Sequence, residues 1–267
     1  MSTSMNLAAT HHAARRELVQ VRGRAAQGYR TVRTYQWGTG TRAALLMHGW
    51  HGRASQFATL VRDLVAEGFR VHAFDAPAHG DSRGARTDAR DWIAAARLIA
   101  RDEGPFDLVV GHSFGAFAAL AAVRDGVDAG RVVSIAGAGD VNAFHTQFAR
   151  TMGLSAPALA AFGAAFYRRL GMTRADADAV FDSLAHPLPA ATELLVIHDE
   201  RDRALDVANA RALHAAHGGR SRLLLTRGFG HNRLLVADEV LDAVLAFAAD
   251  GAQPAGIRSS DATGLRH

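Results

Sequence analysis

The chain has 267 residues, of which 49% are hydrophobic and 21% charged, with no cysteine and a formal net charge of +4. That is enough apolar material for a full core, and the missing cysteine excludes a disulfide framework, a thiolate nucleophile and Cys-ligated zinc. The basic residues are all arginine, scattered singly or in pairs such as Arg15-Arg16 and Arg168-Arg169 among interspersed acids. Phosphate tracking wants charge clustered on one face, so no nucleic-acid partner is expected. The N-terminal segment lacks an apolar leader core, and no apolar run approaches the ~18 residues of a membrane span. The expected location is therefore the cytoplasm.

Two weaker segments, Leu18–Arg22 and Tyr29–Gln36, read as an antiparallel lead-in to a sheet. From there apolar runs alternate with helix-period segments as far as Ala249. The predicted strands are Ala43–Met47, Arg70–Phe74, Leu108–Gly111, Arg131–Ile135, Glu193–His198 and Arg222–Thr226. They are short and nearly continuously apolar, which fits strands buried on both faces of a parallel sheet. Between them Phe57, Leu60, Val61, Leu64 and Val65 recur at helical spacing, and Trp92, Ala96 and Ile99 repeat the pattern before the Gly104-Pro105 break. Ala116–Val123 is apolar all round and predicts a buried central helix. The expected fold class is α/β: a mostly parallel, open, twisted sheet flanked by helices on both faces, built from right-handed crossovers. Ligands then belong beyond the carboxyl ends of the strands.

The rhythm breaks between Asp140 and His186, where Phe144, Phe148 and Met152, then Leu159, Phe162, Phe166 and Leu170, then Val180, Phe181 and Leu184 follow helical spacing without strands. Thr173 followed by Asp176 predicts a capping box. Residues 141–187 are thus expected to form a small helical cap inserted into a single domain over 15–267, with 1–14 and 251–267 as disordered tails.

Chemistry concentrates at Gly111-His112-Ser113-Phe114-Gly115, which follows an apolar strand and opens the Ala-rich helix. A tight strand-to-helix turn of that kind holds a serine hydroxyl out in strained geometry, at a helix N-terminus that favours developing negative charge. A serine needs a base, and His231 in Gly228-Phe229-Gly230-His231-Asn232 lies in a glycine-flanked loop after the last strand. The imidazole in turn needs a carboxylate. Asp202 is the first choice, with Asp199 and Asp140 as alternatives at neighbouring strand ends. Oxyanion donors are expected from the amides of Phe114 and of Trp50, the latter in His48-Gly49-Trp50-His51-Gly52. His48 is read as a holder of that loop.

On these motifs the chain resembles α/β-hydrolase fold proteins over nearly its whole length. His48-Gly49-Trp50, Asp75-Ala76-Pro77-Ala78-His79-Gly80-Asp81-Ser82, Gly111–Gly115, then Asp202 and His231 occur in the family's order. Ala78 stands where glycine is usual, and so does Asp199 after His198. The resemblance implies a Ser-Asp-His triad, a cap between the sixth strand and the acid-bearing strand, and no cofactor. Phe144, Phe148, Phe162 and Phe166 could line an acyl pocket, the other reading being that they form the cap's own core. His-Glu-x-x-His is absent and no metal site is expected. The expected activity is hydrolysis of a small-molecule carboxylic ester or related acyl substrate. Carbon–carbon hydrolysis, acyl transfer or ligand binding without turnover on the same fold are the alternatives.

Overall fold

The computed structural model describes residues 13–22 and 28–249. The expected tails, 1–14 and 251–267, lie outside the described residues except for 13 and 14, which lead into the first strand. Eight strands follow in chain order: β1 (Arg15–Arg22), β2 (Tyr29–Trp37), β3 (Arg42–Met47), β4 (Phe69–Asp75), β5 (Phe106–His112), β6 (Ala129–Ile135), β7 (Glu193–Asp199) and β8 (Ser221–Thr226). They form one open sheet in the order β1-β2-β4-β3-β5-β6-β7-β8. β1 and β2 pair antiparallel with each other, and β2 does so with β4; every later pairing is parallel.

The helices are α1 (Ala58–Ala66), α2 (Ala89–Glu103), α3 (Phe114–Arg124), α4 (Val141–Met152), α5 (Ala156–Leu170), α6 (Arg174–Phe181), α7 (Ala208–His217) and α8 (Asp238–Ala249). The pleat sorts the strands' side chains to two cores. Ala43, Leu45 and Met47 of β3, with Leu194 and Val196 of β7, pack under α2, α3 and α7. Ala44, Leu46, Leu195 and Ile197 face the opposite way, under α1 and α8. Both faces of the parallel strands are therefore dry, which is why their sequences run apolar without alternation. α3 is buried from Gly115 to Val123 and forms the centre of the first layer.

Three helices, α4 to α6, fill the connection between β6 and β7. Each starts on a side chain that accepts an amide hydrogen: Asp140 from Ala143, Ser155 from Ala158 and Thr173 from Asp176. The Thr173/Asp176 capping box is present. Among the described residues no helix is long and apolar enough to cross a membrane.

Candidate active site

β5 ends at His112 and α3 begins at Phe114, leaving Ser113 alone to reverse the chain at φ +54° and ψ −120°. A non-glycine residue in this region costs about 1–3 kcal/mol, held here by the surrounding structure. The Ser113 amide donates to the Ile135 carbonyl at 2.8 Å and so ties the turn to β6. Both flanking glycines are needed for space. A Cβ on Gly111 would fall 2.3 Å from the Cα of Ala116, and one on Gly115 would fall 2.1 Å from the carbonyl oxygen of Met47.

The loop after β8 brings His231 across the sheet edge, with Gly228 and Gly230 at positive φ on the way. Ser113 Oγ lies 2.8 Å from His231 Nε2, and His231 Nδ1 lies 2.7 Å from Asp202 Oδ2. A carboxylate only accepts, so Nδ1 carries the proton and Nε2 is free to accept from the serine. Asp202 Oδ1 accepts from the amides of Ala204 and Leu205 at 2.7 and 3.2 Å. Its side chain is fully buried, and His198 Nε2 approaches the same Oδ2 at 3.3 Å. Burial pushes the Asp202 carboxyl up, but the bonds from His198, His231 and Ala204 outweigh it and hold the group well below the carboxylate range.

The other two acids considered from the sequence are engaged elsewhere. Asp140 caps α4 through the Ala143 amide at 2.8 Å. Asp199 accepts from the Arg201 amide, the Thr226 hydroxyl and the Phe229 amide, each at 2.9 Å. Of the three, Asp202 is the one hydrogen-bonded to the His231 ring.

The loop after β3 passes directly beside the serine. A Cβ on Gly49 would lie 3.0 Å from Ser113 Cβ, so the backbone here approaches as closely as a glycine allows. The amides of Trp50 and Phe114 have no protein acceptor among the described residues. The Trp50 side chain is about half exposed; it stacks on Trp92 at 5.9 Å and meets Phe114 edge-on at 5.3 Å. His48 fixes the loop from below: its Nδ1–H donates to the Gly49 carbonyl at 2.7 Å while Nε2 accepts from the Ala76 amide at 3.0 Å. Burial pushes this imidazole down to about 4, which keeps it neutral in that double role. The Trp92 indole donates to the His48 carbonyl at 3.0 Å and locks the same turn to α2.

The Asp75–Ser82 loop is organised by one carboxylate. Asp75 accepts from the amides of Ala54 and Asp81 and from the Tyr35 hydroxyl. Ala78, which stands at a usual glycine position, adopts φ +63° all the same. Gly80 has no such freedom to change, because a Cβ there would lie 2.1 Å from Asp75 Oδ2.

The phenylalanines of the inserted helices divide. Phe144 meets Phe114 at 5.6 Å and Phe117 at 5.1 Å, which places it next to the serine turn. Phe148 stacks on Phe162 at 4.6 Å, and Phe166 packs on His145 at 4.7 Å, so these three make their ring contacts within the helical insertion. One residue that sequence reasoning missed is His112. Its Nε2–H donates to the His231 carbonyl at 3.0 Å. Burial pushes this ring down to about 4, so it stays an uncharged donor. The G-x-S-x-G spacing gives the middle positions no signal of their own. A second missed residue is His198, whose contact with Asp202 only the turn after β7 creates.

Residues 44–259 match the sequence model of the alpha/beta hydrolase family. No curated protein matches the chain in sequence. Among solved structures, the mouse alpha/beta hydrolase domain-containing protein 10 superposes with a TM-score of 0.66 at 17% identity, over 88% of this chain and 97% of that one. An esterase from Pyrococcus furiosus superposes at 0.62 and 17% identity over 93% and 92% of the two chains. A thermophilic esterase from Thermogutta terrifontis does so at 0.61 and 18% identity over 86% and 97%. At such identities these structures share the fold, and the sequence model extends the match over most of the chain. The chain belongs to the α/β-hydrolase family.

Proposed function

We propose that the protein is a serine hydrolase that cleaves a small-molecule carboxylic ester or related acyl substrate through an acyl-enzyme on Ser113. The observation that carries this reading is the continuous hydrogen-bonded line from Ser113 Oγ through His231 to Asp202, at 2.8 and 2.7 Å. His231 Nε2 takes the proton as Ser113 Oγ attacks the carbonyl carbon, and Asp202 stabilises the resulting imidazolium. The amides of Trp50 and Phe114 receive the oxyanion of the tetrahedral intermediate. Collapse of the intermediate breaks the bond to the alcohol, which leaves with the proton from His231. Water, deprotonated by the same imidazole, then attacks the acyl-enzyme and regenerates Ser113 as the acid departs. No step needs a cofactor or a metal.

In this reading 15–267 act as one domain and the insertion over 141–187 acts as the cap. Phe144 is best supported as a pocket residue because its ring lies against Phe114. Phe148, Phe162 and Phe166 would shape the pocket from behind, through their packing on each other and on His145. The test is turnover of short-chain p-nitrophenyl esters by wild type and Ser113→Ala. Hydrolysis by wild type with loss of at least ~10³-fold in the variant is expected. Equal rates in the two proteins would overturn the reading.

A further inference from the structure

Asp199 is fully buried, yet both of its carboxylate oxygens are turned toward the segments that flank the site. Oδ1 accepts from the Arg201 amide, at the start of the turn that carries Asp202. Oδ2 accepts from the Thr226 hydroxyl at the end of β8 and from the Phe229 amide, two residues before His231. None of these partners is a cation. A buried charge without partners would cost several kcal/mol, so the donors here compensate an ion and not a neutral acid. Burial pushes the carboxyl up, but the amides of Phe229, Arg201 and Gly230 with the Thr226 hydroxyl bring it below the usual range, so it stays ionised at neutral pH.

The base loop is thereby held from two sides. From β5, His112 grips the carbonyl of His231; from β7, Asp199 grips the amide of Phe229. We propose that Asp199 is a positioning residue for His231: through the Phe229 amide it clamps the loop that carries the imidazole. This rests on the reading of His231 as the base.

The test uses the intact protein, plus Asp199→Asn and Thr226→Val. Asp199→Asn keeps nearly the same shape but weakens the acceptor of the Phe229 amide, and should lower kcat about tenfold with KM within about twofold and speed hydrogen exchange at that amide. Thr226→Val keeps the carboxylate but removes one of its donors, and should move both readouts the same way by a smaller factor. A folded Asp199→Asn with unchanged exchange at the Phe229 amide and kcat within about twofold of wild type would overturn the proposal. So would a wild-type kcat in Thr226→Val together with free hydrogen exchange at the Phe229 amide, a result that stands even if Asp199→Asn does not fold. The exchange is read without turnover, so an inactive wild type would count against the hydrolase reading and leave this measurement intact.

Discussion

His112 Nε2 lies 3.0 Å from the main-chain carbonyl of His231, so the residue before Ser113 holds the backbone of the residue whose ring is hydrogen-bonded to the Ser113 hydroxyl. The carbonyl can only accept, so the ring nitrogen must be the donor. Replacing His112 by Ala should release the loop and lower kcat by about tenfold or more, with a smaller change in KM. His112→Gln, whose amide can still donate, should recover part of the loss. Steady-state kinetics on the two variants checks this; equal losses in both would show that the donated hydrogen bond is not what matters.

Asp202 and Asp140 separate by chemistry. Asp202→Asn leaves the fold in place but offers His231 Nδ1 an amide, so the ring can settle in the wrong tautomer. A fall in kcat of ~10³- to 10⁴-fold is expected. Asp140→Ala removes the cap of α4, which should cost about 1 kcal/mol of stability and leave kcat near wild type. Thermal melts beside kinetics on both proteins distinguish the two roles.

The serine turn should tolerate no added methyl. A Cβ at Gly115 meets the Met47 and His48 carbonyl oxygens at 2.1 and 2.4 Å, and both belong to the strand end and loop beneath the site. Gly115→Ala is expected to lose about 3 kcal/mol or more, or to fail to fold. A melting temperature within about two degrees of wild type would contradict the geometry of the turn.

Stability should fall with acid well before the carboxylates titrate. Burial pushes His72 down to about 4, with the Arg70 guanidinium adding to the effect, and His48 and His112 are held down to about 4 as well. In the unfolded chain these rings titrate near 6.5. Between about 4 and 6.5 the unfolded state therefore binds more protons, so stability rises with pH in that window and is lost as pH falls through it. His72 lies on β4 away from Ser113 and accepts from Arg70 Nε at 3.3 Å, which a Gln can also do. Its share is at most about 3–4 kcal/mol. His72→Gln should flatten the dependence of melting temperature on pH across this window, and an unchanged slope would refute the assignment.

Much of the architecture was legible because a strand buried on both faces leaves an apolar run. Leu45-Leu46 and Val109-Val110 supply neighbouring residues to opposite cores and so carry no alternation to misread. Strand ends were less legible: Asp199 and His112 are polar, yet the ladder continues through both. The choice among Asp140, Asp199 and Asp202 could not come from position, since each lies at or beyond a strand's carboxyl end. What separates them is which hydrogen bonds each one makes, and that depends on the path of the turn after β7 and of the Gly228–Gly230 loop. The positive φ of Ala78 was equally hidden, because a loop can impose on alanine a conformation that sequence alone would reserve for glycine.

Covalent trapping asks the molecule itself whether Ser113 is the nucleophile proposed above. The protein would be treated with a fluorophosphonate, followed by intact mass measurement and peptide mapping. One adduct per chain is expected, located on Ser113, absent in Ser113→Ala and formed far more slowly in His231→Ala. An unlabelled wild-type protein, or labelling that persists undiminished in Ser113→Ala, would contradict it.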